Sequence, residues 1–305
     1  MDHGNPPLRR GCDTAPARRS FGMPPPENPA DIVLEAAAER PVDFPDLSER
    51  RAVKLASMTR YVARAHFQTW EQLRRLPDFE TLEGVFTPLV VLEIEVTEAR
   101  VLPNETIRVR GQSTFGKVLD DDGNVRQITR DGTHTAFNEA GEEVGRVRFV
   151  NAFTRYDEDP AKRRVLEIPE ELGVGRLPSR VTEMPTVATM LPLDRPPDFP
   201  EGEPNVWYYA QTDPNRHVNS LAYLHVAQEY VATRLHHAGH AMDRLWARRA
   251  RLCFRKPCFR GEEYRRFAWQ TTDDPLVIRT AIAKASDPDG HPPATAVELT
   301  LDTHE

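Results

Sequence analysis

Two stretches of the chain place apolar residues at helical spacing, and each is followed by runs that alternate apolar with polar positions. In the first, Leu55, Met58, Val62, Ala65, Thr69, Leu73 and Leu76 fall on one stripe of a helix over about 52–76. Asp46 or Ser48 is placed to cap this helix and Pro77 to stop it. Leu92, Ile94 and Val96 then alternate with Glu93, Glu95 and Thr97, the period of a half-buried strand. Further strand-like runs occupy 105–119, 125–137 and 143–156, joined at DDDGN and NEAGEE. One long helix ahead of a four-strand antiparallel meander predicts a compact α+β unit.

The same order then repeats. A short strand at 205–211 leads into a helix from about Val218 to Leu245, within 217–245. Its stripe is Leu221, Leu224, Val231, Leu235, Ala238, Met242 and Leu245, widened by Tyr223, Ala227 and Tyr230. A helix apolar over so broad a face predicts a sheet wrapped around it. Strands follow at 250–256, 262–272, 276–285 and 294–302, with SDPDGHPP turning the last pair. The halves, 41–156 and 205–305, share order and scale but little residue identity, the pattern of a duplication with one diverged copy. Between them 157–204 is proline-rich, too long for a tight connection and too apolar in VATMLPL for a free linker. An ordered strap is expected there. Residues 1–40 read as a leader without packed structure, because they open with proline, glycine and arginine and lack an apolar secretory core.

Composition narrows the classes. Charged residues make up 29% and hydrophobic ones 39% of 305 residues, ordinary proportions for a globular protein, and no apolar run reaches the ~18 residues of a membrane span. Three cysteines form no disulfide framework, which points to a reducing, cytoplasmic setting. The net charge is −7, but Arg244–Arg266 holds nine Lys/Arg against two Glu, a local +7 that leaves −14 for the remainder. Such an island in an acidic chain suggests one anionic partner rather than bulk nucleic-acid affinity, with Arg248, Arg249 and Arg251 as candidate phosphate or carrier contacts. The competing account is a solvated strand face. No phosphate loop, zinc spacing or calcium loop is present, and nothing calls for a cofactor or metal. His236 and His240 lie four apart but lack a third ligand.

The chemistry concentrates in WYYAQTDPNRHVNSLAYLHVAQEY, 207–230. Asp213, Asn215, His217 and Asn219 stand within seven residues at the mouth of the second helix, where one cap needs only one of them. A helix N-terminus supplies N–H groups and partial positive charge suited to an oxyanion. His217 can take a proton from water near neutral pH, and the Asn215 amide can orient that water or a carbonyl. Asp213 either holds His217 or is itself the base or attacking group. Singly, each residue has a plain structural reading: TDPN as a turn, Asn219 as a cap, Tyr223 as core.

The run Asp213, Asn215, His217, Val218, Asn219, Tyr223, placed before a sheet-wrapped helix, resembles the acyl-ACP thioesterases of the hot-dog fold, within the 4-hydroxybenzoyl-CoA thioesterase-like superfamily. The resemblance spans Asn205–Asp302 by motif and the first half by architecture alone. It implies two tandem hot-dog domains packed as a pseudo-dimer, the first non-catalytic and supplying core and cleft wall. It also implies an acyl-ACP or acyl-CoA substrate, thioester hydrolysis in fatty acid or polyketide metabolism, an acyl carrier protein as partner, and room for a homodimer of double hot-dogs. One departure stands out. Where the family places an acid before a cysteine, this chain has Pro257 before Cys258. Glu262 or Glu229 is then the candidate for the missing acid, with Cys258 as support. A hot-dog dehydratase acting on a 3-hydroxyacyl thioester and a non-catalytic acyl-thioester-binding protein are the alternatives.

Overall fold

The computed structural model describes residues 33–75, 84–168, 177–200, 203–214, 216–273, 275–288 and 290–303. Its first strand, β1 (Val33–Pro41), begins inside the stretch 1–40 read as leader and runs one residue past it, a correction to that boundary. Leu34 and Ala38 face inward, and all nine residues pair with a strand that begins at Thr106. That partner lies some seventy positions away, so local composition carried no sign of it.

Helix α1 (Leu55–Arg74) buries Leu55, Met58, Val62, Ala65, Thr69 and Leu73, as its stripe predicts; Leu76 and Pro77 fall outside the described residues. Its cap differs from expectation, because the N-cap is Lys54 and no side chain closes it. Asp46 is buried instead, accepting from Arg60 Nη1 at 2.6 Å and from Tyr61 Oη at 2.8 Å, since a carboxylate withdrawn from water needs charged or donor partners. Ser48 Oγ bonds the Ala52 carbonyl at 3.1 Å. Burial, and secondarily the Asp46 carboxylate, pushes the Tyr61 hydroxyl pKa up.

After α1 come β2 (Val85–Phe86), β3 (Leu89–Val96), β4 (Thr106–Leu119), β5 (Val125–Phe137), β6 (Glu143–Ala152) and β7 (Thr154–Arg155), with β2 and β7 paired apart from the main sheet. Among its described residues the connecting segment carries a 3₁₀ turn (Pro160–Arg163), the short helix α2 (Val187–Met190) and the two-residue β8 (Phe199–Pro200). Val165 and Ile168 pack with Leu34, Leu73, Phe115 and Ile128, whereas Val187, Met190 and Leu191 pack on Cys253, Trp269 and Ala296. Its apolar residues therefore join the cores of both halves.

The second half opens with β9 (Asn205–Val206), shorter than expected, and a single 3₁₀ turn at Tyr209–Gln211. Helix α3 (Ser220–His237) ends eight residues before Leu245. Gly239 takes φ +87°, the left-handed geometry that glycine adopts without a Cβ penalty. Its N–H reaches His236 C=O, and the His240 N–H reaches Leu235 C=O, each at 3.0 Å, which closes the last turn. Met242 therefore sits in a 3₁₀ turn, and Leu245 opens β10 (Leu245–Phe254), followed by β11 (Glu263–Asp273), β12 (Leu276–Lys284) and β13 (Thr295–Thr303).

The strands form one antiparallel sheet in the order β1-β4-β5-β6-β3-β10-β13-β12-β11-β8, with β9 also on β11. Reading outward from the centre, β3-β6-β5-β4 on one side matches β10-β13-β12-β11 on the other, so the halves meet as pseudo-symmetric partners through equivalent strands. At this seam Ile94 faces Ala250 and Leu92 faces Leu252 on the buried side, while Glu95 faces Arg249 and Glu93 faces Arg251 on the other. The outer row alternates in sign across the sheet: Asp131 with Arg148 (2.9 Å), Arg148 with Glu93 (3.5 Å), Glu93 with Arg251 (2.8 Å), and Glu298 with Arg279 (2.8 Å). Each half wraps its own helix, and one apolar core contains residues of both helices.

Candidate active site at the mouth of helix α3

Asn219 is the N-cap of α3: its Oδ1 accepts from the Leu221 N–H at 2.8 Å, and its own N–H donates to Gln211 C=O at 2.8 Å. Just upstream the chain folds back on itself. Thr212 bridges Val218, the Asp213 N–H donates to His217 C=O at 2.9 Å, and the Arg216 N–H donates to Asp213 C=O at 2.9 Å. Arg216 turns the corner in the left-handed region, φ +66°. Asp213 and His217 are thus held across one tight loop, Asp213 half-buried and His217 exposed. Asn215, the third candidate, lies outside the described residues.

The second wall is the connection between β10 and β11. His217 pairs by a β-bridge with Phe259, their rings edge to face at 5.1 Å. The Val218 N–H donates to Cys258 C=O at 2.8 Å, and the Cys258 N–H donates to Tyr223 Oη at 3.0 Å. These two bonds fasten the start of α3 to this turn. Gly261, at φ +84°, donates its N–H to Trp207 C=O at 2.9 Å. Glu262 accepts the Phe259 N–H at 2.9 Å and forms an ion pair with Lys284 at 2.8 Å, while the Lys284 ammonium stands 5.2 Å from the centre of the Phe259 ring.

The candidates separate accordingly. Asp213, His217, Asn219, Cys258 and Glu262 converge on one place. Cys258 does so as core: its side chain is fully buried, and burial pushes the thiol pKa up, away from thiolate. Tyr223 is likewise buried, which raises its hydroxyl pKa. Glu229 is not brought in. It is exposed, ten residues beyond the cap and so about 15 Å along the helix at 1.5 Å per residue. Of the first helical N–H groups, Leu221 bonds Asn219 Oδ1 and Ala222 bonds Asn219 C=O; the Ser220 N–H has no acceptor among the described residues. Phe259 and Lys284 escaped the sequence reading. Lys284 closes β12 and reaches the site only through its register opposite Tyr264.

Three of the nine basic residues of the island, Arg248, Arg251 and Lys256, form ion pairs among the described residues. Arg248 lies 3.1 Å from Asp302, and Arg251 lies 2.8 Å from Glu93 and 4.0 Å from Glu298. Acids on β3 and β13 thus pair with Arg248 and Arg251, two of the three candidate carrier contacts. Arg249 alone of the three has no ion-pair partner among the described residues. Those residues hold no cluster of three metal-ligating side chains, and none of their helices is long and apolar enough to cross a membrane.

No family profile and no curated protein matches the sequence. Solved structures do match in shape. An acyl-ACP thioesterase from Bacteroides thetaiotaomicron superposes with a TM-score of 0.58 at 14% identity, covering 88% of this chain and 98% of that one. The 12:0-ACP thioesterase from Umbellularia californica gives 0.61 at 14% identity, covering 89% and 98%. The fold is a double hot-dog. A MaoC-like dehydratase from Phytophthora capsici shares it more loosely, with a TM-score of 0.50 at 11% identity over 90% of this chain and 96% of that one. At such identities the likeness is one of fold. Within this double hot-dog a loop of the same shape precedes α1, where Leu47 bridges Val53, the Ser48 N–H donates to Ala52 C=O at 2.8 Å and Arg51 turns the corner at φ +63°. There Ser48, Ala52 and Lys54 stand in the places of Asp213, His217 and Asn219, and no side chain caps the helix.

Proposed function

We propose that the chain hydrolyses an acyl thioester, carried on coenzyme A or an acyl carrier protein, to the free acid and thiol. The observation behind this is the loop that holds Asp213 opposite His217 at the N-terminal end of α3. In this reading the thioester carbonyl oxygen points to the positive end of the helix, with the Ser220 N–H as donor. His217 takes a proton from water as the water oxygen bonds to the carbonyl carbon. The tetrahedral species collapses, the C–S bond breaks, and the departing sulfur takes the proton back from His217. Asp213 fixes the loop that presents His217, and Asn215 orients the water. Glu262, steadied by Lys284, is the acid beside the site where the resemblance would have put one at Pro257. Arg249, with no ion-pair partner among the described residues, is the natural first contact for an acidic carrier.

The test is free-thiol release from a panel of acyl-CoA and acyl-ACP substrates, comparing wild type with His217→Ala. The expected loss in kcat is on the order of 10²–10⁴. Full turnover in the variant would remove His217 from the chemistry. A wild type that releases no thiol from any substrate would favour the binding-protein alternative, to which the proline at 257 already leans.

A further inference from the structure

A second polar cluster lies inside the half that carries no motif. On the helix-facing side of the sheet, register sets Gly111 beside His134, Ser113 beside Gly132, and Arg130 beside Asn151. Helix α1 covers this band with His66, Thr69 and Trp70. Two glycines make the room: a Cβ at Gly111 would stand 2.1 Å from His134 Cδ2, and one at Gly132 would stand 2.6 Å from Ser113 Oγ.

Arg130 is 1% exposed and His134 0%. One terminal amine of Arg130 bonds Thr69 Oγ1 and, at 3.1 Å, Ser113 Oγ, and the guanidinium lies 4.4 Å from the centre of the Trp70 ring. The groups around it are hydroxyls, imidazoles, an amide and aromatic rings. Asp131, next in sequence, belongs to the opposite face and bonds Arg148 and Arg180. Arg130 therefore has no carboxylate partner among the described residues. Its Nε and Nη1, both ring nitrogens of His134, Nδ1 of His66 and Oδ1 of Asn151 are buried without a hydrogen-bond partner. Burial lowers the Arg130 pKa only to about 9, so the charge persists at neutral pH. Burial first, then the Arg130 charge, lowers His134 to about 4, and the same causes lower His66. Both imidazoles are thus neutral, and each keeps one N–H to donate. A buried guanidinium with an open N–H edge is strongly unfavourable unless an anion meets it.

We propose that this cluster is a binding site for a carboxylate group, gripped by the Nε–Nη1 edge of Arg130 with the two histidines as further N–H donors. The planar fork of a guanidinium matches a carboxylate's two oxygens, which a spherical halide cannot reproduce. The carboxylate belongs either to a small free acid or to the end of a longer acyl ligand. The site is independent of thioester hydrolysis at α3 and stands or falls separately.

The experiment is thermal melting of the full chain at pH 7 in rising acetate, hexanoate or chloride, at one ionic strength. The wild type should show a saturable rise in Tm with carboxylate, about 5 °C at a hundredfold excess over the dissociation constant, and none with chloride. Arg130→Met, which removes the unpaired buried charge, should melt in chloride no lower than wild type and should not respond to carboxylate. If the Met variant fails to fold, Arg130→Lys keeps the charge without the fork and should require far more acetate for the same rise. A response to both acids assigns the site to small free carboxylates, and a response to hexanoate alone assigns it to a chain-bearing ligand. A wild-type response equal in chloride, absent in both acids, or unchanged in the Arg130 variants overturns the proposal.

Discussion

Acid should weaken this protein from inside its first half, through His134. Its imidazole packs against Gly111, whose missing Cβ would stand 2.1 Å from the ring, and neither ring nitrogen has a hydrogen-bond partner among the described residues. Burial, helped by the Arg130 charge, lowers its pKa from 6.5 to about 4. The folded state therefore refuses a proton that the unfolded chain accepts as pH falls through 6.5. The stability is whole above that pH and drains toward pH 4. One excluded proton is worth about 1.4 kcal/mol per pH unit, so the loss at pH 5 relative to neutral pH is about 2 kcal/mol from this group alone. His66, lowered by burial and by Arg130 and His134, adds a loss of the same sign. Replacing His134 with Phe keeps an aromatic ring beside Gly111 and removes the proton-binding site. Urea unfolding at several values between pH 4.5 and 7.5, in carboxylate-free buffers of constant ionic strength, measures the difference. The wild type should lose about 2 kcal/mol more than His134→Phe between neutral pH and pH 5. Parallel curves for the two proteins would mean that His134 takes its proton in the folded state, and the account of a sealed neutral imidazole would be wrong.

Three further outcomes are expected. The double variant Asp213→Ala with His217→Ala should have a kcat close to that of the poorer single variant, because parts of one device do not add; a multiplicative loss would mean that the two residues act separately. Arg249→Glu should raise KM for an acyl-ACP substrate at low salt with little change in kcat, and the difference should fade as salt screens it; an unchanged KM would return Arg249 to a solvated strand face. Glu93→Gln should lower stability by about 1–2 kcal/mol, since Glu93 is 19% exposed and answers both Arg148 and Arg251 across the seam. Its urea midpoint should fall without a change in slope, whereas a changed slope would mean that the halves no longer unfold together.

Periodicity alone carried the architecture. The helical stripe from Leu55 to Leu73 and the broad apolar face from Leu224 to Leu235 are local patterns, because a helix repeats within its own sequence. Their sheets announced themselves by alternation in the same way. The crowding of Asp213, His217 and Asn219 was equally legible, since a loop closed by bonds between neighbouring residues is written in consecutive positions. What escaped depends on partners far along the chain. Strand β1 exists because nine of its residues find β4. Two arginines of the basic island, Arg248 and Arg251, are answered by Glu93, Glu298 and Asp302 on other strands, charges that a local sum cannot subtract. Lys284 joins the candidate site, and Arg130 joins His66 and His134 under α1, only through register and helix packing. The buried guanidinium is the clearest case. In sequence Arg130 sits directly beside the carboxylate of Asp131. The pleat sends the two side chains to opposite faces of one strand, and only the folded sheet leaves Arg130 buried with no carboxylate partner among the described residues.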